Sequence, residues 1–372
     1  MRLGSIIGCL SLLASISWAT VLPRDVTKPK PQRIPADVPR LVLYFQTTHD
    51  KQLRPISMLP LITEKHIALT HLIVCSFHIN EGMNLTLNDY VPHHPIFSTL
   101  WAETQIVKAS GVKVMGMIGG AAAGSWTKRT LDGDTSAFEF YYSQLHDAIV
   151  EYGLQGMDLD VEQPMSLDGI IRIIRRLRKD FGPDFIITLS PVATAFYGGS
   201  NLSGFSYVRL DLAEGHNVDF WSGQFYNGFG WLGTTTSYDQ VMMAGWDTHK
   251  IVIGQVTASE NGGGFVRYDQ LNTTISTLRG KYGQIGGIMG WEYFNSHPGG
   301  LEQPWEWARV MTAILRPNLV PELRITREDA EELDRKWYKS VRPVQSDNPI
   351  HHSFVAAPPM GKNIDYFAMV NA

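Results

Sequence analysis

Three carboxylates alternate with apolar residues in the run Asp158-Leu159-Asp160-Val161-Glu162. A strand sends successive side chains to opposite faces, so Asp158, Asp160 and Glu162 share one face while Met157, Leu159 and Val161 pack on the other. Same-face neighbours lie about 6.5–7 Å apart, so repulsion and partial burial push at least one carboxyl toward protonation near neutral pH. A carboxyl that keeps its proton at working pH is a general acid. An acidic edge strand or a divalent-cation site would use the same residue types, and the run alone leaves both open.

The elements that must carry this face follow from the rest of the chain. From Arg40 onward, short β-rich apolar runs alternate with longer helical patterns, as in parallel βα units. Eight runs are expected as strands: 40–46, 70–77, 112–118, 156–162, 185–190, 218–226, 250–256 and 285–291. Eight strands in about 250 residues suit a closed (β/α)8 barrel, and no Gly-rich phosphate turn follows the first run as an open nucleotide-binding sheet would require. The expected fold class is therefore α/β, a (β/α)8 TIM barrel forming a single catalytic domain over residues 38–316.

Barrel active sites sit at the carboxyl ends of the strands. The fourth predicted strand ends at Glu162, the sixth runs out through Gln224-Phe225-Tyr226-Asn227, and the eighth ends Gly290-Trp291-Glu292. A carboxylic acid, a phenol, an amide and an indole converging on one mouth suit a sugar ring. Trp291 offers a flat face to its C–H side, and Tyr226 and Asn227 offer hydrogen bonds. Without the strand context, Trp291 and Tyr226 read as core aromatics. Gln46 and Gln255 also fall at strand ends, where they either line the sugar site or satisfy backbone groups.

Composition bounds the alternatives. The chain has 372 residues, 44% of them hydrophobic, and a formal charge of -4, which gives a large core and no basic field for nucleic acid. Met1-Arg2, the apolar stretch Leu3 to Trp18, and small residues Ser17 and Ala19 are expected to form a signal peptide over 1–19, making the protein secreted and extracellular. That stretch is short of the roughly 20 residues of a membrane span, and no later one is longer, so no membrane partner is expected. Cys9 would leave with the signal and Cys75 would remain, packed in an apolar run, with no internal disulfide. Given secretion, Asn84, Asn201 and Asn272 are candidate glycosylation sites. Residues 20–37 read as an irregular lead-in or propeptide, and 317–372 as a helix capped by Thr326 and Asp329 followed by a Pro-containing tail open to processing. The basic run Arg172 to Lys179 reads as a solvated outer face, Gly262-Gly263-Gly264 as a flexible loop, and His351-His352 as tail with no metal site. A monomer with no cofactor and no metal is expected.

The motifs resemble a known family. Gly156 to Glu162 looks like the Asp-Gly-x-Asp-x-Asp-x-Glu signature of glycoside hydrolase family 18, the chitinase-like (β/α)8 enzymes. Val114 to Gly120 resembles its Ser-x-Gly-Gly strand, Gln224 to Asn227 its sixth-strand Tyr motif, and Trp291 its terminal tryptophan. Across nearly the whole remaining chain, including Tyr44 to His49 and Met289 to Asn295, the likeness is greatest to the family's fungal endo-β-N-acetylglucosaminidases. The resemblance implies that Glu162 is the general acid/base, that Asp160 orients the substrate's 2-acetamido group and stabilises an oxazolinium, that Asp158 supports Asp160, and that Tyr226 hydrogen-bonds the acetamido oxygen. Trp291, Asn227, Gln224, Gln46, Tyr44 and Gly120 are then substrate-binding candidates. The partners implied are N-glycans of glycoproteins or chitin-type oligosaccharides. The departures are Gln155 for the first motif aspartate, Met117 for the serine, and Asn227 for a frequent aspartate. A chitinase on linear oligomers and a non-catalytic, lectin-like barrel are the alternative readings.

Overall fold

The structure is a computed structural model and describes residues 37–341. All eight expected strands form: β1 (Arg40–Phe45), β2 (His71–His78), β4 (Lys113–Gly120), β5 (Gly156–Val161), β6 (Ile186–Leu189), β7 (Phe220–Gln224), β8 (Ile251–Val256) and β9 (Gly287–Trp291). They pair in parallel in that order, and β1 pairs with both β9 and β2, which closes the barrel. One strand was not expected. The two-residue β3 (Thr86–Leu87) runs antiparallel to the end of β2 and extends that side of the mouth.

The helices follow their strands: α1 (Pro60–Thr63), α2 (Ser98–Ala109), α3 (Thr135–Tyr152), α4 (Leu167–Phe181), α5 (Tyr207–Glu214), α6 (Thr236–Met243), α7 (Tyr268–Tyr282) and α8 (Trp305–Leu315). After α8 comes α9 (Arg327–Val341), whose start is the expected reciprocal cap: Asp329 N–H donates to Thr326 Oγ1 at 3.1 Å, and that hydroxyl donates to Asp329 Oδ2 at 2.7 Å. Arg324, just before it, donates to the carbonyls of Leu69 and Ser110, which precede β2 and β4, so the segment is fastened to the barrel's floor. The expected signal peptide, the lead-in through residue 36, Cys9, the tail beyond 341 and His351-His352 lie outside the described residues.

Strand alternation divides the apolar side chains into two cores. Outward residues such as Leu41, Leu43, Met157, Leu159, Val161, Ile251 and Ile253 meet the helices. Inside the barrel lie Val42, Tyr44, Ile73, Cys75, Met115, Met117, Phe220, Tyr226, Val252, Val256 and Met289. Cys75 is packed there as expected, and burial pushes its thiol pKa up.

α4 corrects one expectation. Its apolar stripe of Ile170, Ile173, Ile174 and Leu177 is buried, but the opposite face is more than a solvated surface. Arg172 donates to the carbonyls of Leu131 and Gly133, Arg175 pairs with the buried Glu214, and Arg176 bridges Glu139 and Asp180. Arg178 donates to the carbonyls of Gly182, Pro183, Phe185 and Asn217 and pairs with Asp219. A guanidinium has five donors, so these residues take up carbonyls that helix and strand ends leave over. Asn84 and Asn272 are exposed, whereas the Asn201 amide is turned inward and bonded at both ends.

Candidate active site

β5 places Asp158, Asp160 and Glu162 in a column that rises through the barrel toward its mouth. The deepest, Asp158, is fully buried and takes three hydroxyl donors: Thr188 Oγ1 at 2.6 Å, Ser190 Oγ at 2.7 Å and Tyr44 Oη at 2.8 Å. Burial pushes its pKa up, and the three hydroxyls pull it partly back. Burial first, then the charge of Asp158, holds the Tyr44 phenol well above its ordinary range, so Tyr44 remains a neutral donor. Tyr44 therefore supports Asp158 instead of meeting substrate with its hydroxyl, which corrects its place among the substrate-binding candidates.

Asp160 is nearly as deep, and its pKa stands well above the carboxylate range, first through burial and then through the charges of Glu162 and Asp158. Glu162 lies half-buried one residue past the strand, its pKa raised by burial and lowered by Gln224. A single amide joins the two: Gln224 Nε2 donates to Glu162 Oε1 at 3.0 Å, to Asp160 Oδ1 at 3.3 Å and to Ser190 O at 2.9 Å. Two N–H groups shared among three acceptors leave neither carboxyl fully satisfied. Gln224, a substrate-binding candidate from the sequence, is instead the buried bridge between the two acids. These hydroxyl and amide donors are neutral, so they relieve the column's charge as dipoles.

The wall beside Asp160 is bare backbone. Gly119 has φ +104°, and a Cβ there would lie 2.2 Å from Asp160 O and 2.5 Å from Trp126 Nε1, whose N–H donates to that carbonyl at 3.0 Å. At Gly120 a Cβ would sit 3.8 Å from Asp160 Oδ2, so this glycine borders the acid. Met117, in the motif's serine position, lies inside the barrel opposite Asp158 on the neighbouring strand. Gln155 precedes β5, and its Oε1 accepts from Val114 N–H at 3.1 Å, away from the acids.

Tyr226 faces inward two residues beyond Gln224, buried in the inner cluster on which the half-buried Trp291 also packs. Trp291 leans on Tyr44 with ring centroids 5.6 Å apart. Gln46 also points inward by alternation and is half-buried, with its N–H on Glu292. The placement of Asn227 differs from expectation, and Gln255 takes the second of the two readings left open for it. Asn227 adopts φ +53°, and its Oδ1 accepts from Gly263 N–H at 2.7 Å while its own N–H donates to Gly263 O at 2.9 Å. Its side chain thus fastens the glycine loop, which is tied to the rim rather than free. Gln255 stands on the outward side with Ile251 and Ile253, donating to Gly264 O, and does not line the mouth.

Several residues of the site were missed. Thr188 and Ser190 alternate with Ile187 and Leu189, and the rule that found the acids could have found them. Glu292 is buried and accepts from Thr47 N–H at 2.8 Å, Thr47 Oγ1 at 2.9 Å and Gln46 N–H at 3.1 Å, tying the exits of β1 and β9 together. Trp126 comes from a loop with no periodic signal. Among the described residues, no group of three or more His, Cys, Asp and Glu side chains is placed to hold a metal ion.

A closed (β/α)8 barrel with this acidic column at its mouth agrees with the comparison to known proteins. The family model for glycosyl hydrolases family 18 matches residues 40–277, and the chain belongs to that family. Among solved structures it is similar to a fungal endo-β-N-acetylglucosaminidase of that family, 60% identical over 76% of this chain and 100% of the other, with a TM-score of 0.75. It is also similar to chitinase ChiC from Aspergillus fumigatus, 44% identical over 73% of this chain and 98% of that one, with a TM-score of 0.67. Chitinase 2 of Rhizopus oligosporus is 26% identical over 233 residues, 55% of this chain and 38% of that relative's length.

The close approach at Gly119 yields a prediction. Gly119→Ala is expected to cost about 2–4 kcal/mol through overpacking and a strained positive φ, and to lower kcat by displacing Asp160. Thermal unfolding and steady-state kinetics of the variant check this, and a fully stable, fully active variant would contradict it.

Proposed function

We propose that the chain is an endo-β-N-acetylglucosaminidase that cleaves the β-1,4 bond of the N,N'-diacetylchitobiose core of N-linked, high-mannose glycans, with retention of configuration. The observation that carries the chemistry is the Gln224 amide holding Asp160 and Glu162 together at the open mouth, both with raised pKa values. Family 18 is a substrate-assisted exception among retaining glycosidases, so no protein carboxylate needs to attack the sugar. Glu162, protonated, gives its proton to the glycosidic oxygen while the substrate's 2-acetamido oxygen bonds to C1 and the C1–O bond breaks. Asp160 holds the acetamido N–H and stabilises the resulting oxazolinium, Tyr226 steadies the acetamido oxygen, and Asp158 with its three hydroxyls steadies Asp160. Glu162, now a carboxylate, takes a proton from water. The water oxygen bonds to C1, the oxazoline C1–O bond opens, and the acetamido group is restored.

The choice of substrate leans on likeness. Identity to the fungal endo-β-N-acetylglucosaminidase exceeds that to the Aspergillus chitinase over similar shares of the chain. Between β8 and β9 there is only a short loop with a 3-10 turn and α7, so no inserted domain walls the mouth there, which suits a branched glycan. The chitinase reading keeps support from the ChiC likeness, while the presence of Glu162, Asp160 and Tyr226 speaks against a lectin-like barrel. Secretion is part of the proposal and is supported by the apolar stretch before Ala19.

Offered a high-mannose glycoprotein and a chitin oligomer side by side, the enzyme is expected to leave one N-acetylglucosamine on asparagine, read by mass. Cleavage of the chitin oligomer alone would establish the chitinase instead. Glu162→Gln should lower kcat by about 10²–10⁴ with the fold retained. It should also raise Tm at neutral pH. A group whose pKa is raised on folding is fully favourable only below its unfolded value and loses stability as pH climbs toward the folded one, so the variant's advantage should vanish in acid.

Because catalysis begins from protonated Glu162, kcat/KM should fall as pH rises through its raised pKa. Gln224→Met removes a donor that favours the carboxylate, and the alkaline limb of the profile should move to higher pH. An unmoved limb would show that the amide does not govern the acid.

A further inference from the structure

The two carbonyls that precede Glu162 face opposite ways, as successive peptides of a strand do. That of Asp160 faces β4 and receives Trp126 Nε1. That of Val161 faces the β6 side, where pairing has stopped at Leu159 with Leu189, so no strand lies opposite it. Ser203, from the loop after β6 and almost fully buried, fills the gap: its Oγ donates to Val161 O at 2.5 Å. Its own carbonyl accepts Met165 N–H at 2.9 Å. One residue therefore grips the chain both before and after Glu162.

Ser203 is itself held. Its single hydroxyl proton goes to Val161 O, so the fully buried Tyr207 Oη, 2.8 Å away, must be the donor to Ser203 Oγ. Asn201 Oδ1 accepts Ser203 N–H at 2.9 Å, and Asn201 Nδ2 donates to Phe205 O at 2.5 Å. The triplet Asn201-Leu202-Ser203, which reads in sequence as a glycosylation acceptor, is here the turn that forms this grip.

We infer that Ser203 is a positioning residue for Glu162: with Asn201 and Tyr207 it forms a brace that sets the Glu162 carboxyl against the Gln224 amide. This rests on the reading of Glu162 as the proton donor. It goes beyond that reading by assigning the acid's placement to the loop after β6, outside the acidic column.

The test compares Ser203→Ala and Asn201→Ala with the wild-type chain, using whichever of the two substrates the wild type cleaves. Ser203→Ala is expected to lower kcat about tenfold with KM within about twofold, a misplacement effect. The Glu162 carboxyl, followed by carboxyl-carbon NMR, should titrate at higher pH because Gln224 no longer meets it squarely. Asn201→Ala keeps the hydroxyl but frees the turn, and should lower kcat about threefold with a shift in the same direction. A merely structural role would lower Tm and leave the titration and kcat below the transition unchanged, which would overturn the brace. Should Ser203→Ala fail to fold, the Asn201→Ala titration decides alone. Should the wild type cleave neither substrate, the proposed function fails, while the titration, which needs no turnover, still decides the brace.

Discussion

Three carboxyls on one strand face inside a closed barrel cannot all keep their charge. At about 7 Å and an effective dielectric near 20, each neighbouring pair repels by about 2 kcal/mol, and burial adds more for every charge that lacks a partner. The column answers with donors that thin out toward the mouth. Asp158 has three hydroxyls, while Asp160 and Glu162 share one amide. A hydrogen bond to a charged group contributes about 1.5–3 kcal/mol, so charge is best tolerated at the bottom and least at Asp160. The proton the column must hold thus stays near its upper half, where proposed proton transfer takes place. Among the described residues, the donors that meet these carboxyls are hydroxyls and one amide.

Much of the remaining architecture serves to keep that column in register. Gly119 gives up its side chain so that the Trp126 indole can reach the strand. Glu292 ties the exits of β1 and β9, which are the seam where the barrel closes. Asn227 joins the loops after β7 and β8 through a reciprocal pair with Gly263. These are polar contacts between βα loops, made where the ladders have ended and the backbone would otherwise face water unpartnered.

The barrel and the acids were legible because both are written in short periods. Strand alternation alone places Asp158, Asp160 and Glu162 inward and Leu159 and Val161 outward, and the structure agrees. The same alternation would have turned Gln255 outward with Ile251 and Ile253, had parity been applied as well as position at a strand end. Gln224 could be placed but not understood, since its three acceptors come from two other strands, β5 and β6, and the turns that leave them. Asn227 was misjudged because a left-handed backbone turns its side chain toward the glycine loop, and no period predicts that. The arginines of α4 show the same gap: helical spacing tells which way they point, but the carbonyls they meet lie on other elements.

The packing beneath Asp158 bears on how protons travel. The interior around and below it is largely apolar, with Val42, Ile73, Met115, Met117, Val252 and Met289, and it also holds the buried Ser222 and His71. The acids themselves step upward from Asp158 by Asp160 to the half-buried Glu162, so the column meets solvent at its mouth. Glu162 is the member of the column nearest to solvent, so a change in the acidity of the surroundings reaches the column first at the residue proposed to give up the proton.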